Sequence, residues 1–254
     1  MKLQETWRLI HDSPLPGKIN MKRDLDLLKE VCEGRSKPVL RFYSWSPPAL
    51  SLGFFQKAEE IVDIEACRQL GIDIVRRPTG GRALLHHREL TYSVIVPEGH
   101  PLIPKSVLES YKLLSQGIIS GLGALGIKAD LAPSQGRGKG LAPGACFDSP
   151  SAYEIQILGK KVVGSAQVRR RGGLLQHGSI LQELPVDLYR QILKPCGDAF
   201  SLDSLEKKAA GLKDLGFKIA DDELACEIKK GFSEIFHVKF IAGKEEAKEW
   251  STIN

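Results

Sequence analysis

Residues 24–33, DLDLLKEVCE, set Leu25, Leu28 and Val31 on one face, the spacing of a short amphipathic helix. Strand-like runs follow at 39–43, 49–54 and 72–77, separated by Pro and Gly turns. Two more runs, 82–86 and 90–96, are expected to be joined by the polar turn His-His-Arg-Glu. From Val107 the apolar positions 107, 111, 114, 118, 122 and 125 recur at helical spacing, so a helix is expected there, lying against a sheet. Residues 131–145, LAPSQGRGKGLAPGA, are too rich in Gly, Pro and small polar residues to build a core and read as a mobile surface loop. Beyond it, Tyr153, Ile155 and Ile157 alternate with Glu154 and Gln156. Turns at Gly159-Lys160 and Gly172-Gly173 then separate strands over 161–169 and 174–183, an antiparallel meander. The last 70 residues or so read as mostly helical, with Leu224, Ile228, Phe232 and Ile235 in one stripe. Strands, a helix, more strands and then helices predict an α+β fold with mixed or antiparallel sheets flanked by helices. We expect a main domain over 1–184 and a helical appendage packed on it over 185–254.

Composition changes this picture little. The 254 residues are 42% hydrophobic and 26% charged, ordinary for a globular chain. The first twelve residues carry Lys2, Glu5, Arg8 and Asp12 without an apolar stretch, so no signal peptide is expected. No apolar run approaches the ~20 residues of a membrane span. Five scattered cysteines argue against a disulfide framework and for a reducing compartment, with the cytoplasm as the expected location. A net charge of +5 does not by itself call for nucleic acid; it is compatible with an acidic protein partner or with simple solubility.

Familiar cofactor signatures are missing: there is no GxxxxGK[ST], no GxGxxG after a strand, no HExxH and no paired CxxC. Of six histidines only His86 and His87 are adjacent, and neighbours on a strand face opposite ways, so neither a metal site nor a cofactor is expected. Three segments remain. Arg76-Arg77-Pro78-Thr79-Gly80-Gly81-Arg82 follows a strand; its glycines permit close backbone approach and its arginines suit a phosphate or carboxylate, or else it is a hairpin turn with solvated arginines. Cys146, in GACFDSP, sits in an apparent exposed turn, although a lone cysteine is more often a buried structural residue. Lys161, in GKKVVGSAQ, precedes an apolar Gly-containing strand, unlike its surface neighbour Lys160.

Together RRPTGGRALLHHRELTYS, ACFDSPSAYE, GKKVVGSAQ and LLQHGSIL, with RFYSWSPPALSLGFFQ at 41–56, closely resemble the LipM-type octanoyltransferases of the biotin/lipoate ligase superfamily. The resemblance covers residues 6–181, with the motifs in order and fifteen residues from Cys146 to Lys161. It implies an acyl-thioester on Cys146, with Lys161 lowering the thiol pKa. It also implies octanoyl-acyl carrier protein as donor and the glycine-cleavage H protein or another lipoyl domain as acceptor. Substrate contacts fall on Arg76, Arg77, Thr79, Gly80, Gly81, Arg82, His86, Gly164, Ser165, Ala166, His177 and Gly178. Leu84, Tyr92 and Val163 either line a slot for the acyl chain or belong to the core. Arg169-Arg170-Arg171 either dock the protein partners or are solvated at a turn. The chain departs from the family at His87, where Asp is usual, and at Met21-Lys22-Arg23-Asp24, where Met-Ala-x-Asp is usual. Rival readings are an ATP-dependent lipoate–protein ligase, an octanoyl amidotransferase between lipoyl domains, and a non-catalytic binder of acylated carriers.

Overall fold

A computed structural model describes residues 4–131, 153–194 and 202–242. Its strands are β1 (Thr6–His11), β2 (Val39–Tyr43), β3 (Ala49–Leu52), β4 (Asp73–Arg76), β5 (Leu84–His86), β6 (Glu89–Pro97), β7 (Asp130–Leu131), β8 (Ile155–Ile157), β9 (Lys160–Arg170), β10 (Gly173–Leu181) and β11 (Lys239–Ala242). The helices are α1 (Gly17–Cys32), α2 (Ala58–Ile61), α3 (Ile64–Gln69), α4 (Val107–Ala124), α5 (Val186–Ile192), α6 (Leu202–Lys208) and α7 (Asp221–Phe236). An eight-stranded sheet runs β11-β1-β2-β6-β10-β9-β8-β7, and a three-stranded one runs β4-β3-β5. Pairing is parallel at β11–β1, β1–β2 and β3–β4 and antiparallel elsewhere. This is the expected α+β architecture of mixed sheets flanked by helices.

The large sheet is covered on both faces, and that explains why β2 is buried at every position. Val39, Ile95 and Leu175 meet Leu27, Leu28 and Val31 of α1 on one side. Leu40, Phe42 and Val94 share the opposite core with Leu114 and Ile118 of α4 and with Ile228 and Phe232 of α7. The small sheet has a core of its own, where Leu50 and Leu85 pack with Cys67, Tyr189, Ile192 and Leu205.

Two sequence expectations change. α1 begins seven residues early, because its first two turns bury Asn20 and Asp24 beside Gly17 and Met21, so the buried face there is not an apolar stripe. The runs around 82–86 and 90–96 do not form a hairpin: β5 belongs to the small sheet and β6 to the centre of the large one, so the segment between them crosses from sheet to sheet. The meander of β8, β9 and β10 is present, with its first turn one residue earlier, at Leu158-Gly159. The segment after residue 184 is helical and packs on the rest, but it also supplies β11 to the large sheet and side chains to both cores. The 184/185 boundary therefore separates no two cores.

Candidate active site

The two sheets face each other across a narrow, mostly apolar cavity. One wall is the β9–β10 hairpin, where Gly164, Ser165 and Ala166 stand opposite Ser179, Gly178 and His177 in register. The other wall is Ser51 of β3 with Leu84 and His86 of β5; Met21, Tyr43, Trp45, Arg77 and Thr91 complete the lining. The hairpin contributes nothing larger than a hydroxymethyl except His177.

Two buried polar networks brace this cavity. In the first, His177 Nε2 is 2.7 Å from Thr79 Oγ1 and its Nδ1 is 3.3 Å from Asp24 Oδ2. Asp24 also accepts from Arg41 Nη1 at 2.7 Å, Ser93 Oγ at 2.9 Å and Tyr43 OH at 3.1 Å. Burial pushes the Asp24 carboxyl up, but Arg41 and His177 outweigh it and hold its pKa below the ordinary value. Burial pushes the His177 pKa down, against the pull of Asp24. A neutral imidazole facing a carboxylate carries its proton on Nδ1, so Nε2 accepts from Thr79. In the second network, His86 stacks on Trp45 with ring centroids 3.9 Å apart, its Nδ1 2.6 Å from Glu89 Oε1 and its Nε2 2.7 Å from Ser51 Oγ. Thr91 and Ser179 donate to the same Glu89 oxygen, each at 2.6 Å.

The arginines of the glycine segment are used differently from expectation. Arg76 Nη1 donates to the carbonyls of Gly53, Phe54 and Gln56. Arg77 donates to Ser51 O, Gly80 O and Arg82 O at 2.9, 2.8 and 2.7 Å. Both guanidiniums hold backbone in place, so the loop is tied from within by its own cations. Gly81 has φ +94°, a conformation that favours glycine, and a Cβ there would also stand 2.8 Å from Arg77 Nη2. Lys161 is buried at the start of β9 and forms an ion pair with the equally buried Glu154. Glu154 immediately precedes β8, the strand whose Gln156 is in register with Lys161. Cys146 lies outside the described residues. So does the 132–145 part of the expected loop.

The family model of the lipoyl protein ligase A/B catalytic domain matches residues 16–233. Octanoyltransferase LipM of Carboxydothermus hydrogenoformans is 44% identical, over 96% of this chain and 92% of its own. Octanoyltransferase LipM of Clostridioides difficile is 42% identical, over 93% and 89%. The chain belongs to the LipM-type octanoyltransferase family. Among solved structures, lipoate-protein ligase A bound with ATP superposes with a TM-score of 0.74 at 25% identity, covering 94% of this chain and 90% of that one.

In this family member the cavity gathers His86, Gly164, Ser165, Ala166, His177 and Gly178 from the expected substrate residues, together with Arg77. Thr79 reaches it through His177. Gly80 and Arg82 serve the loop through their carbonyls, and Arg76 is exposed and bound to the 53–56 backbone. Leu84 lines the cavity, whereas Tyr92 and Val163 lie in the large core. Arg169 is tied to Pro104 O and Ser110 Oγ, which leaves Arg170 and Arg171 as the exposed members of the triplet. Sequence reasoning missed Asp24, Glu89, Ser51 and Trp45 as site residues. The departure noted at residues 21–24 was the available signal, since it spans Met21 in the lining and Asp24 behind it.

Proposed function

We propose that this chain transfers an octanoyl group from octanoyl-acyl carrier protein to the lipoyl-domain lysine of the glycine-cleavage H protein, through a thioester on Cys146. The supporting observation is the position of Lys161. It is buried on β9, and three residues further on the same strand enters the cavity wall at Gly164. The segment that carries Cys146 joins Leu131 of β7 to Tyr153, and both ends adjoin β8, the neighbour of Lys161. An ammonium kept there by Glu154 favours the thiolate form of a thiol brought beside it.

The Cys146 thiolate attacks the donor's thioester carbon, and the C–S bond to the carrier breaks with the electron pair leaving on the carrier sulfur. One thioester replaces another, so this step is close to neutral. The acceptor amine then attacks the Cys146 thioester; the C–S bond breaks with its electron pair leaving on the Cys146 sulfur and a more stable amide forms, the Lys161 ammonium giving a proton to that sulfur and taking up the one lost from the amine. No ATP enters the cycle. The cavity, lined by Leu84, Met21 and the small residues of β9 and β10, takes the hydrocarbon chain. The relatives named octanoyltransferase are 38–44% identical and the structure of lipoate-protein ligase A only 25%, which supports transfer over ligation.

The test is intact mass after incubation with octanoyl-acyl carrier protein without ATP. A gain of one octanoyl group, removed by hydroxylamine and absent in Cys146→Ala, is expected. Acylation of a lipoyl domain by Cys146→Ala, dependent on octanoate and ATP, would defeat the reading in favour of a ligase.

A further inference from the structure

Two aromatic rings stand in solvent beside the glycine loop. Phe54 and Phe55 are 49% and 79% exposed, and they meet edge to face with centroids 5.1 Å apart. The loop that carries them is braced. Arg76 Nη1 donates to the carbonyls of Gly53, Phe54 and Gln56 at 3.1, 2.8 and 2.6 Å. Gly53 N donates to Gln56 Oε1 at 2.9 Å, and Phe54 N donates to Thr79 O at 3.0 Å. A Cβ on Gly53 would stand 1.9 Å from Gly81 O, so the two loops meet backbone to backbone. Thr79 in turn bonds the cavity-wall residue His177. The rings are therefore displayed from a platform fixed to the active site, at the cost of leaving apolar surface wet.

We propose that Phe54 and Phe55 anchor the acyl acceptor, a lipoyl-type domain that presents its lysine beside a small apolar patch with an acidic rim. This rests on the transfer reading above. Two arguments select the occupant. A lysine has only a four-carbon stem, so the acceptor's body must come up against the surface around the reacting carbon. A carrier that delivers its acyl group on a long flexible arm has no such need. Residues 53–60 and 76–82 also hold four cations, Lys57, Arg76, Arg77 and Arg82, against two carboxylates, Glu59 and Glu60, the second paired with Lys57, and this excess of positive charge complements an acidic rim. Pre-organised exposed aromatics are the commonest energetic centres of protein interfaces, since little side-chain freedom is lost when they are covered.

The experiment uses the full chain and the glycine-cleavage H protein as acceptor probe. The dissociation constant of the H protein is measured by calorimetric titration for the unsubstituted chain, for Phe54→Ser/Phe55→Ser and for Phe55→Trp, and thioester loading by octanoyl-acyl carrier protein is followed separately. The serine pair is expected to weaken H-protein binding at least tenfold, with loading unchanged and near-normal affinity kept in Phe55→Trp. Equal affinity in the serine variant overturns the proposal, as does slower loading, which would make the rings a donor contact. Absence of loading in the unsubstituted chain defeats the thioester reading but not the affinity difference, so the two failures are distinguishable.

Discussion

At the scale of single residues, the site depends on a neutral histidine. His177 faces Asp24 from α1, Thr79 and Arg77 from the glycine segment and His86 from β5, while Arg41 of β2 meets Asp24 from behind. Its pKa in the folded chain lies below the ordinary 6.5, so between those two values the unfolded chain binds more protons. Stability therefore falls as pH drops below 6.5 and levels off once the folded-state value is passed. Asp24, also lowered, acts in a separate window: its contribution is present above 3.8 and is lost as pH falls through its folded-state value. In His177→Gln the amide keeps a partner for Thr79 but does not titrate. The urea-derived unfolding free energy of the unsubstituted chain is expected to decline between pH 6.5 and 5 more steeply than that of the variant, by up to about 1.4 kcal/mol per pH unit. Parallel curves would show that His177 takes up its proton over the same pH range folded and unfolded. The histidine was legible in LLQHGSIL and Thr79 in the glycine segment, but Asp24 and the residues that hold it were not. Residues 24, 41, 79, 93 and 177 come together only when α1, the glycine segment and three strands converge, and an Asp near the start of a helix looks like an ordinary solvated residue until that happens.

At the scale of elements, α4 and α7 pack closely enough that glycine decides the geometry. A Cβ on Gly121 would stand 2.5 Å from Ile228 Cα and 2.7 Å from Ile228 N, and one on Gly231 would stand 2.2 Å from Gly117 O. Backbone cannot swing aside as a side chain can. Replacing a helical glycine with alanine normally stabilises by up to about 1 kcal/mol, and Gly123, with nothing within 4 Å, is expected to follow that rule. Gly121→Ala must instead push the helices apart, an overpacking cost of about 1–3 kcal/mol. Urea midpoints are expected to move in opposite directions for the two variants; a rise in both would mean that the helices separate at no cost. Both helices were legible from their apolar spacing, yet nothing in that spacing shows which glycines lie at their crossing. Strands β1 and β11 escaped notice for a related reason. They lie at one edge of the large sheet, β1 buries only Trp7 and Ile10 and β11 exposes three of its four residues, so neither shows the continuous burial of β2 and β6.

At the scale of the whole molecule, the two sheets are bound together by the part of the chain that read as a helical appendage. The family model runs from 16 to 233 without a break at 184. Tyr189 and Ile192 fill the small sheet's core, and Tyr189 OH accepts from Leu85 N at 2.9 Å, next to the cavity-lining residues Leu84 and His86. Leu224, Ile228, Phe232 and Phe236 fill the core of the large sheet, and Phe236 packs on Trp7 with centroids 5.3 Å apart. Ala210 N donates to Lys161 O at 3.1 Å, so the C-terminal segment also steadies the strand that carries the proposed catalytic lysine. Each of these side chains is worth about 1.5–3 kcal/mol when buried. Six of them together match the roughly 5–15 kcal/mol by which a whole domain is stable. A chain ending at residue 184 is therefore expected to lack a cooperative thermal transition and the near-ultraviolet dichroism of packed aromatics. If it melts cooperatively near the midpoint of the full chain, then α5 and α7 only decorate a core that stands without them, and the strand of Lys161 needs no bracing from the C-terminal segment.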